Sequence, residues 1–309
     1  MPDFETFVIA VYLLVDAFER QQVVPEPPPR GRPPGLCRTE VLTLALIAQL
    51  DRFASERAFA RFAHTQLRGL FPGLPERSEL NRAFRRRADD LGQFGRWCAR
   101  HLGAATVPYE ILDTTAWPLR NAKRRGEGTL PEVAAIGRSL RLGWFDGVRV
   151  LVAVTPAGIV TGFGVAPGNA QDRSLAETFF AQRALPAQVL TSVGRAASGV
   201  YLADSGFAGR RTRLHWAEAY AAHVYAPPQP DSGERWPRAL RRWHTSARQI
   251  VETVFQRLVQ GLRLERERPR TLSGVLTRLA AKVGLHNALI RWNRQTGHPD
   301  LAFATVIGW

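Results

Sequence analysis

Apolar residues recur at helical spacing through the first third of the chain. The opening run, MPDFETFVIAVYLLVDAFERQQ, mixes apolar and charged residues and predicts an amphipathic helix rather than a membrane span. A proline-rich stretch at 25–34 then predicts an extended linker. Thr39 and Ser78 are predicted N-caps of later helices. Helical spacing after the linker is carried by Leu42, Leu46, Ile47, Leu50, Phe59, Phe62 and Ala63. Residues 1–104 are therefore predicted to form an all-α domain.

From Thr106 the pattern changes to short β-rich runs separated by Gly, Pro and Asn. Five runs are predicted strands: TVPYEILDTT, VRVLVAVTP, GIVTGFGVAP, SGVYLADSG and AAHVYAP. Helical patterns cover Asp172–Ala184, Ala208–Tyr220, 248–264 and 272–293. Three strands joined by short turns, followed by strands that alternate with helices, indicate an α/β domain with a mixed sheet over residues 105–309.

The chain is strongly basic, with 42 Lys and Arg against 27 Asp and Glu and a formal charge of +15. Only Lys123 and Lys282 are lysines, and the arginine side chain contacts phosphate with two parallel hydrogen bonds. This balance favours a nucleic-acid partner over a membrane or an acidic protein. Two isolated cysteines and seven histidines without a tight ligand pair indicate no zinc site and fit a reducing cytoplasm, where the protein is expected to associate with the nucleoid.

Three acidic residues lie in settings that can bring them together. Asp113 and Asp204 are each predicted to end an apolar strand, whereas Glu252 flanks the apolar stripe of a predicted helix. Arg248, four residues before Glu252, is predicted to pair with it. Each acid also has an ordinary interpretation, because strand-end aspartates often cap turns and the Arg248–Glu252 pair is typical of a helix surface.

Three collected carboxylates suit metal-assisted chemistry on a polyanion. Mg²⁺ prefers a few carboxylates together with water and substrate oxygens. Two such ions supply an activated water and a stabilised leaving oxygen, which phosphodiester cleavage requires. Without metal, the carboxylates would repel one another and raise each other's pKa values.

The chain resembles bacterial insertion-sequence transposases of the DDE class, which have an RNase H-like catalytic domain. ILDTTAWP and YLADSGFAG resemble the two catalytic-Asp segments, and RQIVETVFQRL resembles the catalytic-Glu helix. SERAFARFAHTQLRGLFPGLPERSELNR and GNAQDRSLAE resemble the N-terminal region and the loop after the third strand. The resemblance implies an RNase H-like five-stranded mixed sheet flanked by helices. It also implies that Asp113, Asp204 and Glu252 are catalytic ligands of two Mg²⁺ ions, with Mn²⁺ as a substitute.

The family signature differs at two positions near Glu252. Thr245 stands where relatives often have Tyr, and Val259 where they often have Lys, although Arg257 and Arg263 are close in sequence. Asn169 and Asp172 are expected to cap the following helix, and Trp117 either fills the core or stacks on a base.

Basic clusters supply candidate DNA contacts, each with a solvated surface as the alternative. One cluster lies on a predicted helix, one follows Asp113 in a Gly-containing loop, and two arginines flank Glu252. The DNA-binding candidates are Arg82, Arg85, Arg86, Arg120, Lys123, Arg124, Arg125, Arg248 and Arg257.

These features predict a transposase that binds terminal inverted repeats through the helical domain, nicks DNA, and joins the freed 3′-OH to double-stranded target DNA. The family implies a dimer or larger assembly on DNA. Two alternatives stay open: an RNase H-like nuclease without strand transfer, and an inactive DNA-binding element remnant.

Overall fold

The computed structural model describes residues 3–22, 34–121, 130–131, 133–184, 199–229 and 231–304. Five helices precede the sheet: α1 Phe4–Gln22, α2 Arg38–Ile47, α3 Glu56–Gln66, α4 Arg77–Arg86 and α5 Ala88–His101. Two cap predictions are wrong. α2 begins after Cys37, whose backbone N–H donates to Glu40, and the Thr39 hydroxyl instead donates to Glu19 of α1. α4 begins after Glu76 rather than after Ser78.

The sheet contains six strands among the described residues: β1 Glu110–Arg120, β2 Ala135–Ser139, β3 Gly143–Val154, β4 Val160–Pro167, β5 Val200–Leu202 and β6 His223–Tyr225. Five of them run in the order β4–β3–β1–β5–β6. β3 is antiparallel to β4 and β1, whereas β5 and β6 are parallel to β1 and to each other. This is an α/β, RNase H-like sheet, as predicted. The short β2 was not predicted, and it pairs with the outer end of β3 beyond the last β4 partner.

The helices of the sheet domain are α6 Asp172–Ala184, α7 Arg210–Tyr220, α8 Arg238–Gln256 and α9 Leu272–Thr296. A π-helical turn, Arg257–Gly261, extends α8. α6 matches its predicted bounds, but α8 begins ten residues before its predicted start, directly after Pro237. In the described part of the chain, no helix combines the length and apolar character needed to cross a membrane.

Both faces of the sheet are covered, which explains why β3 is buried from Phe145 to Val148 and again from Val150 to Val154. Alternate residues of β1 and β3 face opposite cores. Ile111 and Val152 join one core with α1, α2, α5, α8 and α9. Leu112 and Leu151 join a second core with α6 and α7. Trp117 belongs to the first core, and its indole N–H donates to the Glu267 carbonyl, so the core interpretation of this residue is confirmed.

The N-terminal helices and the sheet share one hydrophobic core. Leu102 of the predicted helical domain and Ile111 of β1 belong to the same buried cluster, and α9 packs along α5. The division at 104/105 stays a prediction. The predicted linker at 25–34 lies outside the described residues except for its last position.

Candidate active site

Strand register places Asp113 and Asp204 beside each other. Ile111 of β1 pairs with Leu202 of β5 in parallel, and each aspartate lies two residues further on. Asp113 does not end its strand as predicted. β1 continues to Arg120, because residues 114–118 and Arg120 keep pairing with β3. The first aspartate therefore stands on rigid backbone in the middle of a central strand.

Asp113 is a largely buried carboxylate with two defined partners. Its Oδ2 accepts from Arg248 Nη2 at 2.8 Å, and its Oδ1 accepts from the backbone N–H of Thr114 at 2.7 Å. Burial raises the pKa of the Asp113 carboxyl to about 6. Arg248 opposes this rise in the pKa, and the nearby Asp204 adds to it. A cation beside Asp113 would favour its ionised form.

Arg248 bonds to Asp113 rather than to Glu252, so the predicted i,i+4 ion pair is wrong. Glu252 was the expected partner because it lies one helical turn from Arg248 on the same helix. The packing of α8 against β1 instead brings the guanidinium to a carboxylate that is less exposed to water. Arg248 thereby joins α8, the helix that carries Glu252, to the strand that carries Asp113.

Asp204 caps the 3₁₀ turn Ser205–Phe207. Its Oδ1 accepts from the backbone N–H of Gly206 at 2.8 Å. The turn-capping interpretation of Asp204 is therefore observed. The hydrogen bond from Gly206 also fixes the orientation of the Asp204 carboxylate beside Asp113.

Glu252 lies on the exposed side of α8. It follows Arg248 by one helical turn, roughly 6 Å along the axis, and so shares its side of the helix. Its carboxylate forms no hydrogen bond or ion pair with the described residues. Within the described ranges, no three His, Cys, Asp or Glu side chains are already arranged to hold a metal ion.

Asp172 is an acidic neighbour whose place at the site was not predicted. Its Oδ1 accepts from the Thr114 hydroxyl at 2.8 Å and from Arg149 Nη1 at 3.1 Å. A Cβ atom on Gly206 would lie 2.9 Å from Asp172 Oδ2 and 3.0 Å from Asp204 Oδ1. Both carboxylates therefore face the same small space, which only glycine leaves open. Position 172 was expected to cap α6, and only the packing of α6 near β1 reveals that Thr114 lies beside it.

The predicted DNA-binding residues lie in different environments. Arg120 donates to Asp146 and to the Ala134 carbonyl, which favours a structural role. Arg82 and Arg86 are exposed on α4, and Arg85 is half-buried there. Arg257 is half-buried in the π turn. The loop candidates Lys123, Arg124 and Arg125 lie outside the described residues.

The two departures from the family signature also have defined surroundings. Thr245 is exposed on α8, and Val259 packs against the core that contains Ile111. Arg263 cannot replace the missing cation near Val259. It is buried, and its guanidinium donates to the carbonyls of Phe53 and Ala48.

The donor set fits a hard divalent cation. Asp113 and Asp204 offer carboxylate oxygens, the ligand type that Mg²⁺ prefers. Burial raises the pKa of Asp113 and the nearby Asp204 adds to this rise, so positive charge at this point would favour the ionised form of Asp113. Arg248 supplies some of that charge, and a bound cation would supply the remainder.

Comparison with known proteins identifies the family of the chain. A family model described as the transposase DDE domain matches residues 111–288, more than half of the chain. The match begins in β1 just before Asp113 and extends into α9, so it includes Asp204 and Glu252. No curated protein matches the chain. DDE transposases in general depend on divalent metal ions. The chain therefore belongs to the transposase DDE domain family.

Proposed function

We propose that this protein cuts DNA at the ends of a mobile element and joins the freed 3′-OH to target DNA by two-metal-ion phosphoryl transfer. Its partners in this proposal are double-stranded terminal inverted repeats and double-stranded target DNA, met at the nucleoid in the cytoplasm. Asp113, Asp204 and Glu252 would hold two Mg²⁺ ions, which Mn²⁺ can replace.

One observation carries the proposal: Asp113 and Asp204 stand at the same level of neighbouring parallel strands in a DDE-domain protein. The formal charge of +15 supports a polyanionic substrate. Arg248 supports the role of α8, because it attaches the helix that carries Glu252 to Asp113.

Each residue has a proposed role that follows from its position. Asp113 and Asp204 provide anionic oxygens from rigid backbone, and Glu252 provides the third carboxylate from α8. Arg248 orients Asp113 and offsets the repulsion between the aspartates. Two Mg²⁺ ions bound by such carboxylates supply an activated attacking oxygen and a stabilised leaving oxygen.

The proposal includes a dimer or larger assembly. Two element ends must be cut and joined together, and one catalytic centre acts on one strand at a time. The exposed arginines of α4, Arg82 and Arg86, are proposed to contact the inverted repeats.

A strand-transfer assay tests the reaction directly. A labelled, pre-cut element end with a 3′-OH is incubated with supercoiled plasmid and wild-type protein, with Mg²⁺ or with EDTA. The matched controls are an end with a 3′-dideoxy terminus and the variant Glu252→Gln.

The proposal predicts label joined to plasmid only with Mg²⁺, the 3′-OH end and wild-type protein. Metal-dependent nicking of the plasmid without any joined label would instead identify a metal-dependent nuclease. Binding without cutting or joining would identify an inactive remnant.

A further inference from the structure

The outward side of α8 forms an open, basic groove that the sequence analysis did not single out. We call its residues the α8 stripe; all are exposed, and they line a groove of about 530 Å³. The stripe consists of Arg238, Arg241, Arg242, Thr245, Ser246 and Gln249. Three cations and three uncharged hydrogen-bonding side chains therefore share one surface without an acidic residue among them.

The arginines of the stripe differ from most arginines near the sheet. Arg120, Arg149 and Arg248 each form an ion pair with an aspartate. By contrast, the guanidinium groups of Arg238, Arg241 and Arg242 form no ion pair or hydrogen bond with the described residues. Their charge stays available to an anionic ligand, and their long side chains are not yet fixed by any partner.

Helical periodicity connects the stripe to the candidate active site. Positions 238, 241, 245, 249 and 252 are separated by three or four residues and so follow one side of α8. Glu252 continues the line, and Arg248 beside it reaches Asp113. A ligand lying along the stripe would therefore arrive at the carboxylates.

The side chains of the α8 stripe suit a phosphodiester backbone as their ligand. Arginine donates two parallel hydrogen bonds to phosphate, and Thr, Ser and Gln bond to phosphate and sugar oxygens. An open groove on a single helix offers no pocket for a small molecule. Such contacts position DNA without reading its bases.

We propose that the α8 stripe holds the DNA backbone that leads away from the scissile phosphate. This inference rests on the proposed function. Arg241 and Arg238 lie eleven and fourteen residues before Glu252, roughly 16 and 21 Å at 1.5 Å per residue. At about 3.4 Å of helix axis per nucleotide of one strand, they contact phosphates about four to seven nucleotides from the cleavage site.

The first test measures salt dependence. The variant Arg238→Gln, Arg241→Gln, Arg242→Gln is compared with an equal loss of charge on exposed positions near α3, Arg57→Gln, Arg61→Gln, Arg68→Gln. Affinity for a duplex carrying one element end is measured from 50 to 300 mM NaCl, and thermal melting of each variant checks folding.

The expected result is a slope of log K against log salt that is shallower by about two to three for the α8 variant, since each lost phosphate contact removes about 0.9. A duplex of scrambled sequence should lose affinity by the same factor, because the stripe reads no bases. An unchanged slope for the α8 variant overturns the inference.

The second test locates the contact. In a Cys37→Ser background, which removes the exposed cysteine and keeps the buried Cys98, Ser246→Cys carries a photo-crosslinker. Ser246 precedes Glu252 by six residues, roughly 9 Å along α8, so crosslinks should fall about two to five nucleotides from the cleavage site. Thr65→Cys, exposed on α3, serves as the matched control.

Failure of the inference can be separated from failure of the proposed function. If the protein cuts DNA at the wild-type rate but the Ser246 crosslinks lie far from the cleavage site, or no nearer to it than the Thr65 crosslinks, the inference is overturned and the proposed function stands. DNA binding without any cutting contradicts the proposed function, and the salt slopes then still decide whether the stripe binds the backbone.

Discussion

The buried charge of Asp113 should make the active site a source of instability that metal relieves. Burial raises the pKa of Asp113 to about 6 from an ordinary value of 3.8. The side chain is only 16% exposed, so solvent screens this effect little. At 1.36 kcal/mol for each pKa unit, the ionised carboxylate costs the folded state about 3 kcal/mol.

The sign of the pH dependence follows from proton binding. Between about pH 4 and pH 6 the folded state holds the proton of Asp113 and the unfolded state has released it, so stability falls as pH rises through this window. Asp113→Asn removes the charge and keeps the shape. We expect the variant to equal wild type near pH 4 and to exceed it by about 1–3 kcal/mol at pH 8.

Guanidinium unfolding in EDTA at both pH values measures this difference, and Asp89→Asn, an exposed acid of α5, is the control. Mg²⁺ at pH 8 should stabilise wild type more than the variant, and so reduce the difference between their free energies of unfolding. The reasoning is refuted if the variant is less stable than wild type at pH 8, or if the gap is the same at both pH values.

Three further predictions concern Gly206 and Asp172 at the site and the buried Lys282 of the core. Gly206→Ala should slow DNA cleavage roughly a hundredfold in single-turnover assays, because its Cβ would displace the carboxylates of Asp172 and Asp204. Asp172→Asn should lower the cleavage rate and the apparent Mg²⁺ affinity about tenfold, as loss of a supporting hydrogen-bond partner does, and metal titration measures both. Lys282→Ala should reduce the free energy of unfolding by about 2–5 kcal/mol, and guanidinium unfolding measures the loss. It removes a buried cation that pairs with Glu267, and it leaves the buried oxygens of Gln49 and Leu262 without their donor.

Each of these has a contradicting result. Wild-type cleavage by Gly206→Ala would show that the space between the carboxylates is not needed. An Asp172→Asn protein with altered melting but an unchanged Mg²⁺ midpoint would give Asp172 a purely structural role. A Lys282→Ala protein within about 1 kcal/mol of wild type would show that the buried ion pair has little net value.

The elements that carry the acids could be predicted because their signals are local. β-branched and aromatic runs predicted β1 and β5, and apolar spacing predicted the later part of α8. β2 was missed because AIGRS is short and contains glycine. The first ten residues of α8 were missed because their exposed, arginine-rich pattern lacks an apolar stripe as clear as that of the later turns.

The contacts within the site depend on tertiary structure. Sequence spacing predicted that Arg248 pairs with Glu252, but the packing of α8 against β1 brings Arg248 to Asp113 instead. Asp172 follows the third predicted strand and was interpreted as a cap. Only the approach of α6 to β1 brings it to Thr114. Local patterns therefore identified the acids, whereas sheet register and helix packing determined their partners.

The most direct test of the central claim is single-turnover cleavage of one element-end duplex by Asp113→Ala, Asp204→Ala and Glu252→Ala, measured beside wild type in Mg²⁺. Glu218→Ala, an exposed acid of α7, is the matched control. If the three carboxylates act as one metal-dependent unit, each variant should lose roughly a thousandfold or more in rate, and the control should keep the wild-type rate. Cleavage at the wild-type rate by any of the three would contradict the account.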